Sequence, residues 1–337
     1  MKNYKVTFVA QKKVELQECD MPVIGDDDML IKTEVSQIST GTELTLLEGN
    51  VEEGSDWERF IKYPSTPGYS NVGRVIEVGK NVPRDMIGKK ILSFAKHQMY
   101  HRLSYNEYYK MLVPETVSSD GAAFGVISEI VQGSIRAAEV GPGSSCVVYG
   151  AGLIGQLAAR LAKAAGATKI FVCDVSDLRL SKVPENPCYI TINTKNESAR
   201  DVIMKYTENK GADIVFETTS CQQLADEEMR CLGECGKLVI TSSPKGKSLI
   251  DLNYCNTMGI IIIGGHANVT HTPCEIPGKL WTKKKDADYF IELLDKKEIT
   301  VEEMITHTPN YKDAAAAYEM LMKDRTQALA VNIRWED

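Results

Sequence analysis

The stretch Cys146–Asp174, CVVYGAGLIGQLAARLAKAAGATKIFVCD, constrains this chain more than any other part of it. A short apolar run, Cys146 to Tyr149, has the length of a buried parallel strand. Gly150, Gly152 and Gly155 follow at G-x-G-x-x-G spacing, then a helix-forming run from Gln156 to Ala165. A second apolar run, Ile170 to Cys173, ends on Asp174. The spacing has a physical cause. Gly150 permits a tight turn, Gly152 lets backbone approach a pyrophosphate, and Gly155 lets the helix pack closely on the strand. The diphosphate then sits over Leu153 and Ile154 at the helix N-terminus, where free N–H groups point at it. Asp174 accepts hydrogen bonds from the adenosine ribose hydroxyls and repels a 2′-phosphate, so the expected cofactor is NAD rather than NADP. Strand, glycines, helix, strand and terminal acid in register separate this reading from that of a nucleotide-free domain with a glycine turn.

The 337 residues are enough for about two domains with a sizeable core. A net charge of −7 gives no electrostatic reason to expect nucleic acid or an anionic membrane as partner. The N-terminal segment lacks a signal-peptide core, and the apolar patch Gly259–Ile263 is far too short to span a bilayer, so a cytoplasmic location is expected. Nine scattered cysteines include no C-x-x-C pair and no Cys/His cluster at zinc spacing; they read as reduced thiols, several of them in buried strands.

Residues 1 to about 120 read as mostly β, with runs at Tyr4–Ala10, Met29–Val35, Gly73–Val78 and Lys90–Phe94 between turn signals, and no competing helical pattern. Asn106–Pro114 reads as a strand entering a crossover. The pattern then changes. Ala122–Glu139 carries an apolar helical face, and strands follow at Val147–Tyr149, Lys169–Cys173, Tyr189–Asn193, Asp213–Glu217, Lys237–Thr241 and Gly259–Gly264. Helical segments such as Met204–Lys210 and Asp226–Leu232 lie between them, the alternation of a doubly wound parallel sheet. The last part, with helices at Asp286–Lys296 and Lys312–Met322 and a strand at Ala328–Trp335, is too small to stand alone and is expected to complete the first domain.

A β-rich lobe, a Rossmann domain and a returning tail together resemble the medium-chain dehydrogenase/reductase superfamily over the whole chain. Thr40-Gly41-Thr42-Glu43 is similar to that family's C-G-T-D segment, and Pro67-Gly68-Tyr69-Ser70 with Val72–Gly79 to its P-G-H-E…G-x-V-x-x-V-G segment. The wording from Ile38 to Glu43 also resembles a branch that includes bacteriochlorophyllide dehydrogenase-like proteins. The resemblance implies an α/β fold: a GroES-like β-rich catalytic domain (1–122, completed by 278–337) and a Rossmann doubly wound parallel sheet (123–277). It also implies an oxidoreductase and a homodimer paired through the edge strand Gly259–Gly264.

The departures bear on mechanism. Where zinc-dependent relatives carry Cys, His and Glu, this sequence has Thr40, Tyr69 and Ser70, and hydroxyls of ordinary pKa are poor zinc ligands. The four cysteines of the family's structural zinc lobe are also missing, so no metal is expected. An acid must then stabilise the alkoxide that develops as a ketone is reduced. Thr42 occupies the family's hydroxyl-relay position. Tyr69 either supplies a phenol or merely fills the vacated metal volume. His97 and His101 follow a strand end that lines the substrate side in this fold, and share a face if their loop is helical. Glu43 replaces an Asp that is usually a structural support, and Glu129 either faces the nicotinamide or is solvated.

On the cofactor side, Arg179 stacks on adenine or lies on a solvated helix face. Thr218 and Ser242 end successive strands at the carboxyl edge, where ligands bind. Gly265 and His266 fall near the family's nicotinamide carboxamide contacts, whereas His271 and His307 read as surface or packing residues. The favoured expectation is a zinc-independent, NAD-dependent enzyme interconverting an alcohol and a carbonyl on a small hydroxylated molecule such as a sugar or cyclitol. A reductase of activated C=C bonds and a catalytically idle NAD-binding protein are the alternatives.

Overall fold

A computed structural model describes residues 2–107, 111–266 and 281–336. The chain divides into two compact units, Met1–Ile127 with Pro273–Asp337, and Ser128–Thr272. Both belong to an α/β fold: the first is built on antiparallel strands and the second on a parallel Rossmann sheet.

In the first unit, β1 (Asn3–Ala10) and β2 (Lys13–Cys19) form an antiparallel pair. Strand β3 (Asp28–Gln37) leads into helix α1 (Thr42–Glu48). Strands β4 (Asn71–Val78), β5 (Lys90–Ser93), β6 (Tyr100–Ser104) and β7 (Met111–Val113) follow. Helices α2 (Ser119–Ala122) and α3 (Gly125–Ala137) then carry the chain onward.

The second unit runs β8 (Ser145–Tyr149), α4 (Leu153–Ala164), β9 (Lys169–Asp174), α5 (Asp177–Leu180), β10 (Tyr189–Asn193) and α6 (Ala199–Tyr206). It continues through β11 (Ala212–Glu217), α7 (Ala225–Met229), β12 (Leu232–Ile240), α8 (Leu252–Met258) and β13 (Ile261–Gly264). Its sheet order, β10-β9-β8-β11-β12-β13, reverses direction at β8, the topological switch point beside which open α/β sheets bind ligands. Val147, Phe171, Ile192, Val215 and Leu238 form its core, as expected of strands covered on both faces.

The tail rejoins the first unit through α9 (Lys283–Asp295), β14 (Ile305–His307), α10 (Ala314–Lys323) and β15 (Ala330–Arg334). Strand β15 pairs antiparallel with β3, so that Val35 faces Arg334 within the sheet β14-β15-β3-β4-β5-β7. Val6, Phe8, Ile38, Leu44, Tyr318 and Trp335 pack together there, and Trp335 stacks on Tyr311 at 5.5 Å.

Three features differ from the sequence reading. Helix α1 lies in a region expected to be helix-free; Leu44 and Leu47 give it a buried face too short to register as a period. His97 and His101 share no helix, because His101 lies in β6. Of the strand expected at 106–114, Met111–Val113 forms β7 while Asn106, Glu107 and Pro114 lie outside any strand; residues 108–110 and His271 lie outside the described residues. Among the described residues no helix is long and apolar enough to cross a membrane.

Candidate functional site

The glycine loop of the second unit is built as a cradle. Gly150 has φ +97°, and its N–H donates to Cys173 O at 2.7 Å, stitching β8 to β9. A side chain on Gly155 would lie 1.7 Å from Gly150 O, so only glycine lets α4 begin so close to the strand. Gly152 is different. Its backbone is ordinary (φ −69°), and a Cβ there would meet no atom within 4 Å among the described residues. Among the described residues no contact requires glycine at this position, which stands at the N-terminus of α4 with no side-chain cap. Leu153 is buried and Ile154 half-buried at the start of that helix.

Asp174 ends β9 with both carboxylate oxygens at work: Oδ2 accepts from Ala151 N–H at 2.7 Å and Oδ1 from Ser176 N–H at 2.8 Å. Each carboxylate oxygen retains acceptor capacity for a further hydroxyl. Arg179 Nη1 lies 3.9 Å from Oδ2, and Gln156 Nε2 holds Arg179 O at 2.7 Å. The turn after β9 is thereby tied to the glycine loop.

The strand ends opposite are held by a buried carboxylate. Glu217 Oε1 accepts from Thr219 N–H (2.7 Å), Thr219 Oγ1 (2.9 Å) and Ser220 N–H (2.7 Å), while Ser242 Oγ donates to Oε2. Thr218 Oγ1 donates to Tyr149 O at 2.6 Å and lies 2.8 Å from Gly150 O. The hydroxyl of Thr218 thus braces the glycine loop and that of Ser242 the Glu217 carboxylate. Gly265 is buried, its N–H bonded to Ile240 O at 2.8 Å, and His266 beside it is exposed. Glu129 is buried rather than solvated.

In the first unit, Tyr69 Oη donates to Ser39 Oγ at 2.6 Å, and the Tyr69 ring stacks on half-exposed Phe94 at 5.5 Å. Thr40 and Thr42, both half-buried, flank Gly41 on the same turn, Thr42 opening α1. Ser70 is buried, its hydroxyl spent on Ala123 O at 2.5 Å.

The histidines stand elsewhere than expected. His97 is fully buried, with Nδ1 2.7 Å from Ser36 Oγ and Nε2 3.0 Å from Glu43 Oε2, so it offers no surface to a substrate. His101 is buried too, 3.4 Å from Thr33 Oγ1 and 3.3 Å from Ser93 Oγ, and burial pushes its pKa down to about 4. Loss of solvent disfavours the imidazolium, so His101 is neutral at pH 7. His307 is half-buried on β14. Sequence reading missed Ser39, Ser36, Tyr318 and Trp335. The density of hydroxyls in Ser36–Thr42 was the available signal for the serines, and nothing local pointed to the two aromatics.

This side-chain set does not suit a zinc ion. Thr40, Tyr69 and Ser70 offer hydroxyls, of which those of Tyr69 and Ser70 are already hydrogen-bonded, and both His97 nitrogens are engaged. Among the described residues no group of 3 or more His, Cys, Asp or Glu side chains forms a candidate metal site.

The zinc-binding dehydrogenase family profile matches residues 154–272, which lie in the second unit and leave Thr40 and Tyr69 outside the match. An L-threonine 3-dehydrogenase of Marinomonas sp. (strain MWYL1) is 25% identical over 76% of this chain and 81% of its own length. An uncharacterised zinc-type alcohol dehydrogenase-like protein of Escherichia coli (strain K12) is 23% identical over 100% of both chains. Among solved structures, a putative zinc-binding dehydrogenase of Sinorhizobium meliloti 1021, bound to NADP, superposes with a TM-score of 0.77 at 17% identity over 99% of each chain. An alcohol dehydrogenase of E. coli CFT073, complexed with NADH, gives a TM-score of 0.79 at 15% identity, again over 99% of each.

Proposed function

Because this chain belongs to the medium-chain dehydrogenase/reductase superfamily, the alcohol dehydrogenase-like proteins, we propose that it is an NAD(H)-dependent oxidoreductase interconverting an alcohol and a carbonyl without a catalytic zinc ion. The observation that carries the reading is the open space at Gly152, framed by Gly150, Gly155 and Asp174 in register. When bound, the dinucleotide supplies the hydride. The N–H groups of the first turn of α4 hold its pyrophosphate, and the remaining acceptor capacity of Asp174 takes the ribose hydroxyls. Arg179 fixes the Asp174 carboxylate and flanks the adenosine. Asp174 favours NAD over NADP through repulsion of a 2′-phosphate. Gly265 and His266 lie at the end of the same sheet, toward the nicotinamide carboxamide.

The other unit handles the substrate oxygen. Tyr69 turns its phenolic proton from Ser39 Oγ to a carbonyl oxygen in the reductive direction, Ser39 then donating to the phenolate, and takes a proton back from the alcohol in the reverse direction. Ser39 holds Tyr69 Oη during the exchange, while Thr40 and Thr42 supply hydroxyls that orient the substrate. This many hydroxyls suit a small polyhydroxylated substrate, a sugar or cyclitol. A dimer paired through the exposed edge strand β13, and a soluble protein needing neither membrane nor nucleic acid, complete the proposal.

The test is a fluorescence titration with NADH and NADPH, followed by a polyol, keto-sugar and quinone panel on the same protein. Tighter NADH binding with turnover of a polyol or keto-sugar is the expected result. Turnover of quinones alone would replace this reading with C=C reduction, and failure to bind either nucleotide would end it.

A further inference from the structure

The imidazole of His97 sits at the centre of a buried hydrogen-bonded core that leads to a single turn. Trp335 Nε1–H donates to Ser36 Oγ at 2.8 Å, Ser36 Oγ meets His97 Nδ1 at 2.7 Å, and His97 Nε2 meets Glu43 Oε2 at 3.0 Å. The tautomer with its proton on Nε2 gives one unbroken direction of donation from the indole to the carboxylate. Tyr318 donates to the same Glu43 oxygen. The other oxygen, Oε1, accepts the N–H of Ser39 at 3.0 Å, and Ser39 Oγ is the partner of Tyr69 Oη at 2.6 Å.

We infer that His97 is a positioning residue for Tyr69, acting through Glu43 and Ser39. The inference rests on the reading of Tyr69 as the group that moves the proton. Burying an imidazole and a carboxylate costs desolvation free energy, and well-packed apolar side chains in their place are commonly as stable or more so. What such a network gives in return is one fixed geometry. Here the fixed object is the Ser39–Thr42 turn, which carries the partner of Tyr69 as well as the Thr40 and Thr42 hydroxyls. Its anchors come from far along the chain: His97 is 54 residues from Glu43, Tyr318 is 275, and Trp335 is 299 from Ser36. A turn held by its own backbone alone would leave the phenol's partner free to wander. Misplacing a catalytic group by about 1 Å can cost roughly 100-fold in rate.

The test needs no substrate at first. The protein, saturated with NADH, is labelled with 3-fluorotyrosine, and the 19F resonance of Tyr69 is assigned by its absence in Tyr69→Phe. Ser39→Ala should move that resonance, and His97→Gln should move it in the same direction while Tyr149 and Tyr254 in the other unit stay fixed. If His97→Gln fails to fold, Ser36→Ala removes the Nδ1 partner with little loss of volume and carries the same expectation. A Tyr69 resonance that responds to Ser39→Ala but to neither His97→Gln nor Ser36→Ala would overturn the coupling. On a panel substrate, His97→Gln should lower kcat about tenfold or more with KM and NADH affinity little changed. Equal loss in both parameters would mark a merely structural role. Unchanged turnover in Tyr69→Phe would instead overturn the reading of Tyr69, an outcome separable from the spectroscopic one.

Discussion

Replacing Gly152 by alanine separates folding from ligand binding at a single atom. The added Cβ meets no atom within 4 Å among the described residues, and φ −69° with ψ −174° is extended backbone that alanine adopts without strain. Removing glycine restricts the unfolded chain and stabilises by about 0.4–1 kcal/mol. Alanine is a poorer N-cap than glycine, which costs a similar amount, so the folded protein should change stability by less than ~1 kcal/mol. Binding should suffer. In the proposed placement of the dinucleotide the methyl group stands where a phosphate approaches the N–H groups of α4, and losing one charge-assisted hydrogen bond costs about 1.5–3 kcal/mol. That corresponds to roughly 10- to 150-fold in Kd. The assay pairs a thermal melt with a calorimetric NADH titration of Gly152→Ala. A variant that melts with the wild type and binds NADH equally well would refute the placement of the dinucleotide on this loop.

Three further outcomes follow from the same geometry. Gly155→Ala puts a Cβ 1.7 Å from Gly150 O, so it should destabilise the protein by about 3 kcal/mol or more, seen as a lowered denaturation midpoint even without nucleotide. Asp174→Ala strands the Ala151 and Ser176 N–H groups, costing about 1–3 kcal/mol of stability, and should weaken NADH more than NADPH in paired titrations. Glu228 is fully buried with neither carboxyl oxygen hydrogen-bonded among the described residues, and burial, with Glu217 and Glu227 nearby, pushes its pKa up to about 9 from the ordinary 4.5. The folded state therefore holds a proton that the unfolded state releases between those two pH values. Its contribution to stability falls as pH rises through that window, by about 1.4 kcal/mol per pH unit. Glu228→Gln should flatten the wild-type decline in urea midpoint between pH 6 and 8; an identical slope in both proteins would refute the buried neutral acid.

How much could be read from the sequence depended on how local the determinants were. Strands β8, β9, β10 and β11 fall within one or two residues of expectation, because a strand buried on both faces needs a continuous apolar run and turn residues at its ends. Strand β12 begins at Leu232, five residues earlier than expected, since Gly233, Glu234 and Gly236 interrupt the apolar run and occupy an irregular stretch of the ladder. Strands β2 and β6 were not anticipated at all. β2 is half-buried and rich in Glu and Gln, and β6 mixes histidine and arginine with its apolar residues. The turn at Gly150, the close packing at Gly155 and the place of Asp174 at the end of β9 follow from local sequence and are therefore legible. The fate of His97 is not, since whether an imidazole faces solvent or a carboxylate depends on Ser36 and Glu43, 61 and 54 residues away.

The place of β15 in the first sheet fixes an order of events during synthesis. The parallel sheet is contiguous in the chain, and all its strands are synthesised before translation reaches residue 330. The antiparallel sheet, by contrast, must wait with β3 half-paired until Val35 receives Arg334 and Trp335 closes over Tyr311. Until then the Ser39–Thr42 turn lacks two of its anchors, Tyr318 and Trp335. The nascent chain can thus assemble its parallel-sheet unit early, whereas the turn that holds Tyr69 is finished only once Tyr318 and Trp335 have emerged.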